Sequence, residues 1–315
     1  MKPPSLLSAS VSRAAGGEDE ERGATWLDAG MRNVPSRWYT SAPRLTEGCG
    51  GELPERSWLD EREVLAIGSP LARSVELHGE IGSTQARARE LAKDGAPDGT
   101  LVVSRIQTGG RGRLGRLWGS PAGGLWMSLV LRPDFEARLA GRITQAAAVG
   151  VAKALRSLGV KAEIKWPNDI LVGGRKICGI LAESSLAAGG GVGFVVLGVG
   201  MNANLDVEEL GVEDGQATTL RRELGRDVGT AEILASVLDG LEREFGRIGV
   251  FGGILEDWKS MNCTLGRRVR VVRSGETLEG EAVDITGSGA LVLRTGNGFV
   301  ELFEGEVENL RAKPL

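Results

Sequence analysis

The chain has little of what metal and disulfide chemistry require. Its single histidine, His78, excludes an HExxH helix and any multi-histidine zinc site. Three cysteines, Cys49, Cys178 and Cys263, lie far apart, so neither a CxxC metal pair nor a disulfide framework can form. An excess of positive charge is missing as well. With 38 Lys+Arg against 42 Asp+Glu the net charge is −4, and no overall basic field points to nucleic-acid coating. No apolar run reaches the roughly 18 to 20 residues needed to span a bilayer, so no membrane role is expected. What is present is an ordinary globular composition, 41% hydrophobic and 25% charged, in a length of 315 residues that favours two domains. Glycine is abundant at 48 residues, about twice its usual share of roughly 7%.

Residues 1–57 carry five prolines (Pro3, Pro4, Pro35, Pro43, Pro54), the acidic run Glu18-Asp19-Glu20-Glu21, and no sustained apolar period. This composition reads as a disordered tail. Leu6–Val11 is too short for a signal-peptide core. A transit peptide, or a true start at Met31 or later, is the alternative. The tail offers no pair of amphipathic helices for a DNA-reading helix-turn-helix.

Periodic structure begins near Trp58. Leu59–Leu65 reads as a short helix with Leu59, Val64 and Leu65 inward. Ser74–Leu77 reads as a strand, followed by a helix capped by Ser83 or Thr84 and ended by Gly95. Thr100–Ile106 and Leu125–Leu131 read as strands, and Ile143–Leu158 as a helix. Ala162–Trp166, Ile170–Val172 and Lys176–Ala182 are further strands, the last two joined by the hairpin pair Gly173-Gly174. Val192–Val199 is a buried type of strand, and Thr230 caps a helix with Ile233, Leu234, Val237, Leu238, Leu241 and Phe245 on one face. Strands and helices without strict alternation predict an α+β domain with a mixed sheet. Met261–Gly266 reads as a linker. Beyond it Val269–Val272, Leu278–Ile285, Ala290–Arg294 and Val300–Leu302, separated by glycine turns, read as a small SH3-like β-barrel. The expected domains are therefore a tail at 1–57, a catalytic domain at 58–261 and the barrel at 262–315.

The segment 107–118 reads QTGGRGRLGRLW. Gly110, Gly112 and Gly115 fit GxGxxG, but Trp118-Gly119-Ser120-Pro121 forbids the helix that a dinucleotide fingerprint requires, and no GK[ST] follows. What remains is Arg111, Arg113 and Arg116 interleaved with glycines. Glycines permit close backbone approach, and arginine forks match phosphate oxygens. Such a loop folds over a nucleotide phosphate or an adenylate, or else is an exposed loop that touches RNA. Lys165-Trp166-Pro167-Asn168-Asp169 places Asn168 and Asp169 at a strand end, where a carboxylate can serve Mg²⁺ or a nucleotide, or simply cap a turn. In the following strand, alternation sets Ile177 and Gly179 on one face and Lys176 and Cys178 on the other. A lysine aimed at a site would neutralise a carboxylate or an α-phosphate.

GRGRLGRLW, KWPNDI, RKICGILAES and Gly198-Val-Gly-Met-Asn202, in this order and spacing, resemble the biotin protein ligases, and the segment from Glu279 to Leu293 resembles their small terminal barrel. The resemblance spans roughly residues 60–315. It implies a catalytic domain of the class II aminoacyl-tRNA-synthetase-like, biotin/lipoate ligase type. It also implies activation of biotin with MgATP to biotinyl-5′-AMP, then transfer to a lysine of a biotin carboxyl carrier protein of a biotin-dependent carboxylase. Carried over by motif, Ser83, Thr84, Gln85 and Gln107 line the biotin head-group site. Arg111, Gly112 and Arg113 hold the biotin carboxylate and adenylate phosphate, with Arg113 tied to retaining the intermediate. Lys176 pairs the carboxylate and α-phosphate, so that Lys176, Arg113 and Arg111 form the catalytic set. Arg116, Trp118, Asn168, Asp169, Gly179 and Asn202 serve the adenylate, and Asp169 is the Mg²⁺ ligand.

Two departures stand out. Gln85 replaces the more common Asn, and Trp126 takes a strand position that is often Tyr, as a biotin-pocket wall or as core. The resemblance implies a cytoplasmic enzyme without DNA partner or repressor activity, and leaves a homodimer open. Lipoate ligation on the related fold is the rival enzyme reading. An Arg/Gly-loop RNA-binding module is disfavoured by Glu279, Glu281, Glu301, Glu304, Glu306 and Glu308 in the barrel segment. A non-catalytic biotin-binding protein is disfavoured by intact Lys176 and Arg113.

Overall fold

Asp60 opens the first regular element as a reciprocal cap. Its carboxylate accepts from the Arg62 amide while Glu63 accepts from the Asp60 amide, and α1 runs over Glu61–Ala66. The computed structural model describes residues 58–134, 139–187, 191–213, 215–273 and 275–310. The expectations for residues 1–57 lie outside them. Val64 is fully buried, but Leu65, expected inward, is 46% exposed. A helix of under two turns presents one narrow stripe to the core, and Val64 occupies it.

Then follow β1 (Ser74–Ile81), α2 (Thr84–Lys93), β2 (Thr100–Gln107), β3 (Leu125–Leu131), α3 (Gly141–Ser157), β4 (Glu163–Lys165), β5 (Asp169–Val172), β6 (Arg175–Leu186) and β7 (Val192–Met201). Of the two candidate caps Ser83 caps α2, and Thr84 is its first helical residue. Gly173 and Gly174, with φ of +56° and +80°, make the β5–β6 turn. The seven strands form one sheet in the order β1-β2-β3-β7-β6-β5-β4. Only β1 and β2 pair in parallel, so the sheet is mixed and the α+β class holds. Ala88 and Ala92 of α2 pack on Val102, Val130 and Val196 of the sheet.

Three more helices complete this part: α4 (Leu220–Leu224), α5 (Thr230–Gly246) and α6 (Phe251–Met261). The predicted apolar face of α5 is buried throughout. Thr230 is not its cap, however. Gly229 takes the extended N-cap conformation and Thr230 is already the first helical residue, with no side-chain cap bond. At the α3–α5 crossing a Cβ on Gly150 would lie 2.6 Å from the Gly240 carbonyl oxygen, so two helix-interior glycines let the backbones touch. α6 is absent from the sequence expectations, because Gly252 and Gly253 break its period. Its buried side chains, Phe251, Ile254, Trp258 and Met261, nonetheless keep helical spacing.

The segment expected to be a linker is laced to β4. The Cys263 amide donates to the Ile164 carbonyl at 2.9 Å, and Thr264 Oγ1 accepts from the Trp166 amide at 3.1 Å. Beyond it lie β8 (Arg268–Arg273), β9 (Glu276–Ile285), β10 (Leu291–Thr295), β11 (Gly298–Leu302) and β12 (Glu306–Asn309), the last not anticipated. They form an antiparallel sheet in the order β11-β10-β9-β8-β12 around Val269, Val271, Ala282, Leu291, Leu293 and Leu302. Trp166 Nε1 donates to the Gly289 carbonyl at 3.1 Å and joins the two sheets. Among the described residues no helix is long and apolar enough to cross a membrane.

Candidate active site

One register row crosses the large sheet, and its members Gly200, Gly179, Asp169 and Lys165 line the floor of the site. Ser104, Trp126, Gly200, Gly179, Asp169 and Lys165 are successive partners on β2, β3, β7, β6, β5 and β4. Directly opposed residues present their side chains to the same face. The row therefore reads hydroxyl, aromatic, two glycines, carboxylate, ammonium.

A β-bulge corrects the alternation expected in β6. Ile170 pairs with Cys178 and Leu171 with Lys176, which leaves Ile177 without a partner. The extra residue reverses the parity of the strand. Lys176 and Gly179 consequently line the cavity together, while Ile177 and Cys178 are both fully buried. Burial also pushes the Cys178 thiol well above its ordinary pKa.

The Arg/Gly segment folds as an irregular hairpin over this floor. Gln107 bridges Ser120, Arg111 bridges Leu117, and the Gly112 amide donates to the Arg116 carbonyl at 2.8 Å. At its tip Leu114 holds φ of +56°, a left-handed conformation costly for a side chain of this size. Only a single 3-10 turn, Arg113–Gly115, opens at the glycines and no α-helix does, in keeping with the failed GxGxxG context.

The hairpin delivers Trp118 onto the glycine pair. A Cβ on Gly179 would stand 3.0 Å from the indole and one on Gly200 2.6 Å from its Nε1, so only glycine leaves the ring room to lie there. Trp118 Nε1 is itself buried without a hydrogen-bond partner. Trp126 is core: it is fully buried, donates to the Pro121 carbonyl at 2.8 Å, and meets Trp118 edge-on at 6.5 Å. The Lys176 ammonium lies 2.6 Å from Asp169 Oδ1 and 4.8 Å from the Trp118 ring centre.

These parts enclose a cavity of about 500 Å³. Ser83, Thr84, Gln85 and Gln107 line one end. Gln107 Oε1 accepts from the Thr84 amide at 2.8 Å and from its hydroxyl at 3.1 Å, while Nε2 donates to Ser120 Oγ at 2.9 Å. The longer Gln85 reaches across Gly198, donating to Glu183 at 2.8 Å and to the Val196 carbonyl at 3.0 Å, and accepts from Ser128. Its amide protons are thus engaged by protein. Arg111, Gly112, Arg113 and Arg116 line the roof, and Asn168, Asp169, Lys176 and Gly179 the other side.

Asn168 Oδ1 accepts from Arg113 Nη1 at 3.3 Å, and Asn168 Nδ2 donates to the Ile180 carbonyl at 2.6 Å. Burial pulls the Arg113 guanidinium below its ordinary pKa, against the opposing pull of Asp169, Glu304 and Glu306. Of the expected site residues Asn202 alone does not line the cavity. It is buried behind Lys176 and donates to the Thr218 carbonyl at 3.1 Å and the Lys176 carbonyl at 3.4 Å, with its Oδ1 unpartnered.

The sequence reading missed the contribution of the second sheet. Gly305, Glu306, Val307 and Glu308 line the cavity, Arg116 pairs with Glu306, and Arg113 reaches the Gly305 carbonyl at 3.4 Å. Lys165, quoted only within its motif, also lines it. Among the described residues no cluster of three or more His, Cys, Asp or Glu is placed to hold a metal ion.

Residues 80–202 match the model of the Biotin/lipoate A/B protein ligase family, and residues 264–308 that of the Biotin protein ligase C terminal domain. The chain is 36% identical over 236 residues to the Bifunctional ligase/repressor BirA of Bacillus subtilis, covering 73% of this chain and 72% of that protein. It is 33% identical over 273 residues to the Biotin--[acetyl-CoA-carboxylase] ligase of Mycobacterium tuberculosis, covering 82% and 96% of the two chains. The biotin protein ligase of Aquifex aeolicus, solved in complex with biotin and ATP, superposes with a TM-score of 0.64 at 29% identity, over 76% of this chain and 100% of that one. The chain belongs to the biotin protein ligase family.

Proposed function

We propose that this protein joins biotin to AMP and passes the biotinyl group to a lysine of a biotin carboxyl carrier domain. The observation that carries the reading is the meeting of Lys176, Arg113 and Asn168 beside a polar end built from Ser83, Thr84 and Gln107 in one cavity. In the first step a biotin carboxylate oxygen forms a bond to the α-phosphorus of ATP, the bond from that phosphorus to the β-bridging oxygen breaks, and pyrophosphate leaves. In the second a neutral lysine amine attacks the acyl carbon of the mixed anhydride and AMP leaves.

Neither step needs a covalent group from the enzyme. The demands are to hold two anions together, to neutralise charge as it develops, and to exclude water from a hydrolysable anhydride. Lys176 meets the first two by exchanging part of its contact with Asp169 for the carboxylate and α-phosphate. Arg113, held by Asn168 and the Gly305 carbonyl, covers the anhydride from the roof. The ureido ring of biotin finds hydroxyls at Ser83 and Thr84. A lipoyl dithiolane calls for an apolar slot, which this polar end does not offer.

The donor set fits a Mg²⁺ carried mainly by nucleotide phosphates and water, with Asp169 as the protein carboxylate beside the α-phosphate position. The ion supplies further neutralisation of the triphosphate. The decisive measurement is pyrophosphate release from ATP with biotin or with lipoate, each with and without a carrier domain. Biotin-dependent release with transfer to the carrier lysine supports the reading. Release with lipoate alone moves the substrate, and no release with either acid overturns the activity.

A further inference from the structure

We propose that Lys165 is the cation that receives the β- and γ-phosphates of ATP and holds the pyrophosphate as it departs. The inference rests on the adenylation reading above. Lys165 ends β4 directly opposite Asp169 of β5, and opposed side chains share a face, so its ammonium belongs to the face that carries Asp169 and Lys176. It lines the same cavity, while the flanking Ile164 and Trp166 are buried.

The other cations round the cavity are engaged or peripheral. Lys176 pairs with Asp169, Arg116 with Glu306, and Arg113 with Asn168 and the Gly305 carbonyl, while Arg111 is exposed on the hairpin. Lys165 is half-buried, and its ammonium has no hydrogen bond or ion pair among the described residues. An ammonium with no protein counter-ion is free to donate a charge-assisted hydrogen bond to an arriving anion.

Its place along the row says which anion. Lys165 stands opposite Asp169, one strand spacing of about 4.8 Å toward the sheet edge, while Lys176, opposite Leu171 on the other side of β5, reaches Asp169 only with its ammonium. If Lys176 holds the α-phosphate and the biotin carboxylate, the rest of the triphosphate runs past Asp169 toward the sheet edge, where Lys165 stands. A lysine suits a departing group, since a mobile point charge follows an anion that the rigid fork of an arginine would orient. The consequence is selective. ATP and pyrophosphate contain the atoms that Lys165 touches, and biotinyl-5′-AMP does not.

The test compares Lys165→Gln and Lys165→Arg in the full chain. Three quantities are measured: Kd for the non-hydrolysable α,β-methylene analogue of ATP, inhibition by pyrophosphate, and Kd for biotinyl-5′-AMP. Loss of one charge-assisted contact should weaken the ATP analogue and pyrophosphate by about tenfold or more. Biotinyl-5′-AMP affinity should stay within about twofold of the unsubstituted chain, and Lys165→Arg should restore most of the loss. Equal weakening of all three ligands, no weakening of any, or misfolding of both variants would each overturn the role. Failure of the unsubstituted chain to form biotinyl-5′-AMP is scored first; it overturns the adenylation reading, and this inference with it.

Discussion

Gly179 on β6 and Gly200 on β7 are direct register partners, and the Trp118 indole lies across both. The pair makes a bare patch on which the ring rests. The indole that fills it comes from the hairpin bearing Arg111, Arg113 and Arg116, so the patch anchors the hairpin as well as shaping the cavity. Lys176, stacked over the same ring and paired with Asp169, is held by that anchor too.

Gly200→Ala should dislodge Trp118, because the new Cβ would stand 2.6 Å from its Nε1. The ring is half-buried at the end of a hairpin and can swing away, so overpacking should cost only about 1–3 kcal/mol. We expect a changed tryptophan emission spectrum, ATP affinity weakened by about tenfold, and a Tm lowered by a few degrees. Gly179→Ala, with its Cβ 3.0 Å from the ring, should show the same changes in smaller measure. Unchanged ATP binding in Gly200→Ala would sink the anchoring role.

Lys176→Ala should slow adenylation by about 10²–10³-fold, the scale seen when one preorganised charge-stabilising donor is removed. Asp169, left without its partner, keeps access to solvent, so the Tm should change little. Single-turnover formation of biotinyl-5′-AMP at the unsubstituted rate would refute the assignment.

Arg113→Gly should leave adenylation and release its product. Without the guanidinium between Asn168 and Gly305 the roof no longer covers the anhydride. AMP and free biotin should then accumulate from ATP and biotin in the absence of any carrier domain. Tight retention of biotinyl-5′-AMP through gel filtration of this variant would show that other groups hold it.

Arg87 donates to both carboxylate oxygens of Glu76 at 2.9 Å and holds that carboxyl below its ordinary value. Both side chains are about one-third exposed, so the pair is worth at most about 1 kcal/mol. A depressed carboxyl stabilises the fold above the unfolded-state pKa, here near 4.5, and that stability is lost as pH falls through the lower folded-state value. Arg87→Ala should therefore lower unfolding free energy near pH 7 and leave it nearly unchanged near pH 2. Urea titrations at the two pH values measure the difference; an equal loss at both would exclude the ion pair as its source.

Much of this molecule is legible along the chain. The strand β3, the cap of α2, the Gly173-Gly174 turn and the buried face of α5 each follow from periods or pairs of neighbouring residues. So do the motifs that gather at the cavity, since arginine, glycine and lysine announce anion binding by chemistry alone. Other features depend on which segment lies alongside and in what register. The bulge at Ile177 turns Lys176 and Gly179 to one face, and it exists only because β5 and β6 pair out of step. Gly150 and Gly240 look like helix breakers until the crossing of α3 and α5 brings them together. The row from Lys165 to Trp126 crosses the consecutive strands β4 to β7 and then reaches β3, which sequence order does not place beside β7. Local preference is set by a residue and its near neighbours, and those the sequence by itself determined. Register, close backbone approach and the lending of Gly305 and Glu306 to the cavity are contacts between remote parts of the chain, and only the tertiary structure decided them.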